Sequence, residues 1–437
     1  ISGSFHLIND IPGVPGDPHL HPPANLQQIQ VQQAQREAAM ICEWETCGVA
    51  NRQNAAHPKN VKQQDGFFVV EDLVRQFHDS DSTQHPLWAI YGVSDGHGVL
   101  GEVAASFVSE TLPLVLANSQ QFHNVIALDG QDCTQYIMEA LRFAFLETDR
   151  LARIELGQEL FMSGCCVACS LVSKTHVWSA WVGDCAVSTV DNGRAQVITP
   201  PHNCKSPVER ARVQHNGGQV TDDGRITCIN APGGIEISRA FGGWWGKGAI
   251  PPCPEQPISP TMLTAEPEIC VVPRSENLQA LMMGSDGVFT FMDAQEIANT
   301  FAACIPNFQM DDCPIGQAAA CVLDHAISVC KSNDNATLLV VDLDRVAHNQ
   351  DLTTPPSPSP ARVSVSIGSM TQQETNQVSN NRIKDASSER VPRHETTLSE
   401  DRATIERIKK KYENAITRQK STAPSHLSRK KPTTTVD

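Results

Sequence analysis

The chain has 437 residues, a formal charge of −15 at pH 7 and an isoelectric point of about 5.4. That acidity argues against nucleic-acid binding by the core, because such binding neutralises phosphates with a basic surface. Hydrophobic residues make up 40% of the chain and gather between Pro86 and Leu343, enough for one sizeable core, while no apolar run is long enough to span a membrane.

From the N-terminus, Pro12, Pro15, Pro18, Pro22 and Pro23 precede a Gln-rich run, a composition that predicts a flexible leader over residues 1–45. The chain opens on Ile1 without the basic and apolar stretches of a secretory signal, and a signal further upstream would be out of sight. β-rich runs at 66–70 and 87–93 are followed by helical patterns at 101–116 and 133–156. Runs at 165–172 and 176–182 come next as neighbours, then a helix over 206–216. Strands over 269–272 and 278–283, helices over 294–303 and 315–331, and a strand over 337–342 complete the middle. Strands in adjacent pairs with long helices point to antiparallel sheet covered by helices, an α+β arrangement rather than a parallel βαβ array.

From Thr353 the sequence turns to Thr, Ser, Pro and other polar residues, which cannot bury enough apolar surface to offset the entropy of ordering. A disordered tail is expected over 346–437, basic from about residue 401 and with Ile405, Ile408, Tyr412 and Ile416 at helical spacing beside Lys409, Lys410 and Lys411. This segment reads either as a solvated basic tail or as a nuclear-localisation or anionic docking element. The fifteen cysteines are an odd count. Cys165, Cys166 and Cys169 sit inside an apolar run without the spacing of a zinc site or a disulfide framework, so they read as reduced and packed. An intracellular protein of cytoplasm and/or nucleus is the expectation.

The informative pattern is where the aspartates fall. Asp95, Asp184 and Asp286 each follow a β-rich run, Asp65 opens one, and Asp334 precedes one. Five carboxylates can therefore converge at one end of a sheet. One Asp-Gly after a strand is usually only a turn; five in this order are another matter. Carboxylates gathered without Cys or several His make a site for a hard cation, Mg²⁺ or Mn²⁺ rather than zinc, and two ions offset that much like charge better than one. Ser94-Asp95-Gly96 and Ser285-Asp286-Gly287 repeat one string, in which glycine is expected to let the backbone turn tightly and bring a carbonyl to a ligand.

These residues, with Asp95-Gly96-His97-Gly98, Ser163-Gly164, Val182-Gly183-Asp184, Gly217-Gly218, Ser238-Arg239-Ala240-Phe241-Gly242, Ala265-Glu266-Pro267-Glu268 and Asp334-Asn335, resemble the ordered motifs of the type-2C, or PPM, metal-dependent Ser/Thr protein phosphatases. The resemblance covers residues 60–345, and a catalytic domain is expected over 46–345. It implies a four-layer αββα sandwich, two antiparallel sheets flanked by helices. It implies hydrolysis of phosphoserine and phosphothreonine in proteins by a water activated between two divalent cations, with no phosphoenzyme. Asp95 would bridge both ions, the Gly96 carbonyl would bind one, and Asp286 and Asp334 the other. Asp65 would hold metal-bound waters, and Asp184 matches a position that helps to hold a weaker third ion in some members. His97, next to the bridging ligand, is the expected general acid. The implied partner is a phosphoprotein substrate, with no membrane partner and a monomer as the expected state.

Several positions depart from the family pattern. Gln64 stands where Glu is frequent, and Asn60 where an Arg usually binds the substrate phosphate, leaving Lys59 or Lys62 to supply that charge. Gly243, Ala186 and Cys204 replace an Asp, an Arg and a His. Gln64, Asn60 and Gly243 support the alternative of a catalytically impaired phosphatase-like scaffold that binds a signalling partner. Trp244 and Trp245 begin a stretch, 244–262, that lies where the family carries a flap and reads either as a loop that helps to choose the phosphoprotein or as a plain packed loop.

Overall fold

Apolar side chains that alternate along a strand offer both of its faces for burial, and the described strands do this in pairs. The computed structural model describes residues 40–54, 62–77, 87–127, 133–228, 231–247, 262–311 and 313–351, together with Lys410. Residues 1–39, Lys59, Asn60, residues 248–261 and the tail after 351, with its helical segment around 404–417 apart from Lys410, lie outside the described residues.

In chain order the strands are Met40–Glu43 (β1), Cys47–Arg52 (β2), Asp65–Val70 (β3), Ala89–His97 (β4), Gly164–Val172 (β5), His176–Val182 (β6), Ala186–Asp191 (β7), Arg194–Val197 (β8), Gln219–Val220 (β9), Ile226–Cys228 (β10), Ala231–Ile235 (β11), Phe241–Gly242 (β12), Glu268–Pro273 (β13), Leu278–Gly284 (β14) and Ala336–Asp342 (β15). The α-helices are Leu73–Phe77 (α1), Gly101–Ala117 (α2), Gln120–Ala127 (α3), Thr134–Leu156 (α4), Pro207–His215 (α5), Asp286–Phe289 (α6), Ala294–Cys304 (α7), Pro314–Ser328 (α8) and Leu343–Asp351 (α9). One sheet has the order β1-β2-β15-β14-β7-β8; the other runs β13-β6-β5-β4-β3, with β12 also paired to β5. Every ladder in both is antiparallel.

The period of two sorts the side chains into layers. Phe67, Val69, Tyr91, Val93, Ala168 and Trp181 of one sheet meet Leu281, Met283, Leu339 and Val341 of the other. Their neighbours Phe68, Val70, Ile90, Val167 and Leu171 face outward onto Val108, Leu112 and Phe145 of α2 and α4. On the far side Met282, Leu338 and Val340 pack against Ile297, Ala319 and Val322 of α7 and α8. The four layers are helix, sheet, sheet, helix, and each fully buried large apolar side chain contributes about 1.5–3 kcal/mol.

Strands β1, β2, β7 and β8 carry no strong sequence signal. β2, Cys47–Arg52, is poor in β-branched residues because it lies under α8 at close range: a Cβ on Gly48 would stand 2.4 Å from the Gly316 amide nitrogen. The sheet therefore begins inside the span 1–45 expected as a leader, at Met40, and α9 carries the ordered chain past the expected boundary at 345.

A buried ion pair fastens the helical layer to the motif after residue 238. Lys247, fully buried, donates to both carboxylate oxygens of Asp149 on α4 at 2.8 and 2.7 Å and to the Ala240 carbonyl at 2.9 Å. Asp149 also accepts from the Gly242 amide at 2.9 Å, and the ammonium stands 5.1 Å from the centre of the Trp244 ring. Burial pushes the Asp149 carboxyl up and the Lys247 amine down, while their contact opposes both shifts. Removing one partner leaves an uncompensated buried charge. Lys247→Met is expected to cost about 3–5 kcal/mol of unfolding free energy, read from urea denaturation; a loss under about 1 kcal/mol would contradict the pair's assigned weight.

Candidate metal centre

The ladder between β3 and β4 sets Asp65 opposite Asp95, and β4 ends on His97 opposite Gly164 of β5. In the other sheet β14 ends at Gly284, so Ser285 and Asp286 emerge beside the start of β15, where Asp334 and Asn335 enter. Asp184 leaves the end of β6. Strands of both sheets thus deliver their acidic ends to one edge of the sandwich. Asp65 is 3% exposed; Asp95, Asp184 and Asp286 are half-buried and Asp334 is exposed, the profile of a cleft open on one side.

The electrostatics follow from that crowding. Loss of water pushes the Asp95 carboxyl well up from its usual range, and the charges that add to the shift belong to Asp286, Asp65, Asp184 and Asp334, all of its own sign. Asp286 is raised to about 8, first by burial and then by Asp184, Asp334 and Asp65. Burial also raises Asp65 to about 7, against two hydroxyls that donate to its Oδ2: Ser285 at 2.7 Å and Thr337 at 2.8 Å. Asp184 is raised chiefly by burial. No three of these aspartates bring their oxygens within 4.8 Å of one another, but like carboxylates facing one cleft fit a hard cation, whose own charge reverses the direction of such shifts. The donor set is all oxygen, as Mg²⁺ and Mn²⁺ require.

The glycines of the two Ser-Asp-Gly strings act differently from expectation. Neither has a left-handed φ; each permits a close approach of backbone. A Cβ on Gly96 would stand 2.3 Å from the Gly101 carbonyl oxygen, and one on Gly287 would stand 1.9 Å from the Asn335 carbonyl oxygen. Gly287 thereby seats α6 against the residue after Asp334, and the Ser332 hydroxyl donates to the Gly287 carbonyl at 2.7 Å.

His97 lies against Gly164, with its Nδ1 buried and without a hydrogen-bond partner in the protein. Burial and then the Lys247 charge lower it to about 4, so the ring is neutral at pH 7. Lys62 is exposed and its ammonium pairs with Glu102. Gln64, in the position where Glu is frequent, donates from Nε2 to the Gly98 carbonyl at 2.7 Å and to Glu102 at 3.2 Å. Gly243 has φ +63, a left-handed conformation that glycine adopts without cost. Trp244 and Trp245 are packed inward, Trp244 donating to the Gly157 carbonyl at 2.7 Å; their surface is spent on the core rather than presented to a substrate.

Two other motifs prove to be braces. Glu209 on α5 accepts from Arg239 at 2.7 Å and Arg212 at 2.9 Å, and from the Ser238 hydroxyl. Burial alone would raise Glu209, but these donors outweigh it and hold it at about 2. Arg239 reaches on to Glu268 at 2.9 Å and to the Glu266 carbonyl at 3.1 Å. His202 stacks on Trp181 and accepts from the Gly183 amide at 3.2 Å, fixing the turn that carries Asp184. Sequence reasoning missed Thr337, Glu209, Asp149, Lys247 and His202. Only Ser285 lay within a string already marked by its repetition.

The family model for protein phosphatase 2C matches residues 59–334. Among curated proteins, a protein phosphatase 2C homolog 2 of Aspergillus flavus is 29% identical over 240 residues, 54% of this chain and 50% of that protein. A probable protein phosphatase 2C 74 of Oryza sativa is 26% identical over 312 residues, 70% of this chain and 68% of that one. The crystal structure of serine-threonine phosphatase 2C from Toxoplasma gondii superposes with a TM-score of 0.54 at 18% identity, covering 70% of this chain and 98% of that one; this likeness bears on the fold. The chain belongs to the protein phosphatase 2C family. It spans about half the length of the first curated relatives it matches.

The carboxylate shifts give a signed expectation. Asp65 and Asp286 hold protons in the folded cleft that they lose in the unfolded chain, so the stability they contribute is complete below pH 4 and lost as pH rises through 7 and 8. Chelator-treated protein should melt at a lower temperature at pH 9 than at pH 6, and millimolar Mn²⁺ should abolish the difference. Equal melting points at both pH values in chelator would refute the crowding.

Proposed function

We propose that the chain hydrolyses phosphoserine and phosphothreonine in proteins with the help of divalent cations held by the aspartate cleft. The observation that carries this reading is the delivery of Asp65, Asp95, Asp184, Asp286 and Asp334 to one edge of the sandwich, where like charge is left unbalanced. Mg²⁺ or Mn²⁺, two ions with a weaker third, would supply Lewis-acid charge there and make water acidic enough to attack at neutral pH.

In this account Asp95, the Gly96 carbonyl, Asp286 and Asp334 would hold the principal ions. Asp65, braced by Ser285 and Thr337, would orient water, and Asp184 would help to hold a weaker third ion. His97 stands next to these groups and gives a proton to the departing serine or threonine oxygen. Its neutral ring must first take a proton from solvent, an uptake that the charge of an incoming phosphoryl dianion would favour against burial and the Lys247 charge. No side-chain nucleophile is required, so no phosphoenzyme forms. Lys62 can turn from Glu102 toward a phosphate, as a point charge rather than a fork; Lys59 keeps the same role in the proposal.

Phosphoprotein substrates follow from this reading. No helix among the described residues is long and apolar enough to cross a membrane, and cysteines such as Cys165, Cys166 and Cys169 are packed in the core, which suits the reducing cytoplasm or nucleus. Phosphate release from a phosphothreonine peptide should depend on Mn²⁺ or Mg²⁺ and be abolished by Asp286→Asn. His97→Gln should lower kcat by about 10²–10⁴-fold without changing cation affinity. A folded protein that binds Mn²⁺ and releases no phosphate would instead leave it a phosphatase-like scaffold.

A further inference from the structure

On the outer face of the other helical layer, three side chains that the proposed reaction does not use meet at one point. Among the described residues, Glu296, His325 and Cys330 form the one group of three potential ligands whose donor atoms all lie within 4.8 Å of one another. His325 Nε2 is 3.2 Å from Glu296 Oε1, and Cys330 Sγ is 3.8 Å from the same oxygen. We propose that these three side chains form a second metal site, of the Zn²⁺ class, that ties α7 to the end of α8.

The local structure explains how they come together. Asp293 caps α7 by accepting from the Glu296 amide at 2.8 Å. Glu296 is thus at the position from which a capping-box carboxylate reaches back to the cap; its Oε1 meets α8's His325 and the following Cys330. Residues five apart do not share a face of a regular α-helix. Here the helix widens as it ends: the amides of Val329 and Cys330 both donate to the His325 carbonyl, at 2.9 and 3.1 Å. This wider turn swings Cys330 back over His325. Lys331 then takes a left-handed conformation, φ +62, and donates from Nζ to the Ser328 carbonyl at 2.7 Å, which fixes the exit.

The chemistry of the trio is that of a borderline cation. Thiolate, imidazole and carboxylate together suit zinc, whereas the aspartate cleft offers oxygen alone. A tetrahedral zinc ion would set its nitrogen and oxygen ligands about 3.3 Å apart and its sulfur and oxygen ligands about 3.6 Å apart, against the observed 3.2 and 3.8 Å, and would hold the nitrogen and sulfur ligands about 3.5 Å apart, a pair that here lies within 4.8 Å. His325 and Glu296 remain 32% and 42% exposed at their side chains, leaving access for a water as fourth ligand. The end of α8 carries the negative pole of its helix, which favours a cation there. On binding, Cys330 yields its thiol proton to solvent and Sγ takes the metal, with no redox partner.

Cobalt tests this on the full chain, kept reduced and first freed of metal with chelator. Titration with Co²⁺ should develop a near-ultraviolet thiolate-to-cobalt charge-transfer band and the visible bands of a four-coordinate ion, both displaced by Zn²⁺. Cys330→Ser should remove the charge-transfer band, and His325→Ala should weaken binding by more than the about 10–100-fold typical of losing an outer-shell partner. Asp286→Asn should leave the band intact, because Asp286 is not one of the three ligands. Zn²⁺ should raise the melting temperature of the unaltered protein and not of Cys330→Ser. A charge-transfer band that survives Cys330→Ser, or none at equimolar Co²⁺, overturns the proposal whatever the outcome for phosphate release.

Discussion

Repulsion among carboxylates at one edge of a sandwich is the constraint around which the rest of this protein is arranged. A fold stabilised mainly by apolar burial has no use for five aspartates delivered to one edge. Asp95 feels four neighbours of its own charge, and Asp65 is buried beside them. The cost is tolerated because the strands that carry these groups are held rigidly from behind. Asp65 cannot leave Asp95 without breaking the β3–β4 ladder, and Ser285 and Thr337 grip its carboxylate from the opposite sheet. The two hydroxyls, together with Asn51 of β2, whose Nδ2 donates to the Asp65 carbonyl at 3.3 Å, make Asp65 a clamp between the sheets.

Around that edge, other motif residues brace rather than react. The Ser238-to-Gly242 string and the Glu266–Glu268 string are bound together by Arg239 and by Glu209 of α5. Asp149 and Lys247 tie the same string to α4 and place a positive charge behind His97, part of the reason that ring is neutral. A long series of short motifs therefore records two demands: charge at the front, and a scaffold stiff enough to hold it there. The Glu296, His325 and Cys330 trio answers to neither, since it stands apart on α7 and α8 and differs in ligand chemistry.

Much of this was legible in the sequence. The longer strands and helices announced themselves because both faces of each strand are buried, as in 278–284, where Leu281 and Met283 face one way and Met282 the other. The aspartates were legible because each falls at the end of such a run. β2 was not, because close contact with α8 demands Gly48 and Ala50 where β-branched residues would signal a strand. Thr337 resembles any strand threonine until Asp65 is set against it across 272 positions. Asp149 and Lys247 lie 98 residues apart, and His325 and Cys330 share a face only because a helix end widens. The glycines after Asp95 and Asp286 were read as turns, yet they answer to packing, which only coordinates reveal.

The most direct test of the central claim is a crystal of the full chain grown with Mn²⁺ and measured at the manganese absorption edge. The account predicts two anomalous peaks about 3.5–4 Å apart, both against Asp95, with Asp286 and Asp334 on one of them. Manganese bound elsewhere, or a cleft in which Asp95 touches no ion at saturating Mn²⁺, would contradict it.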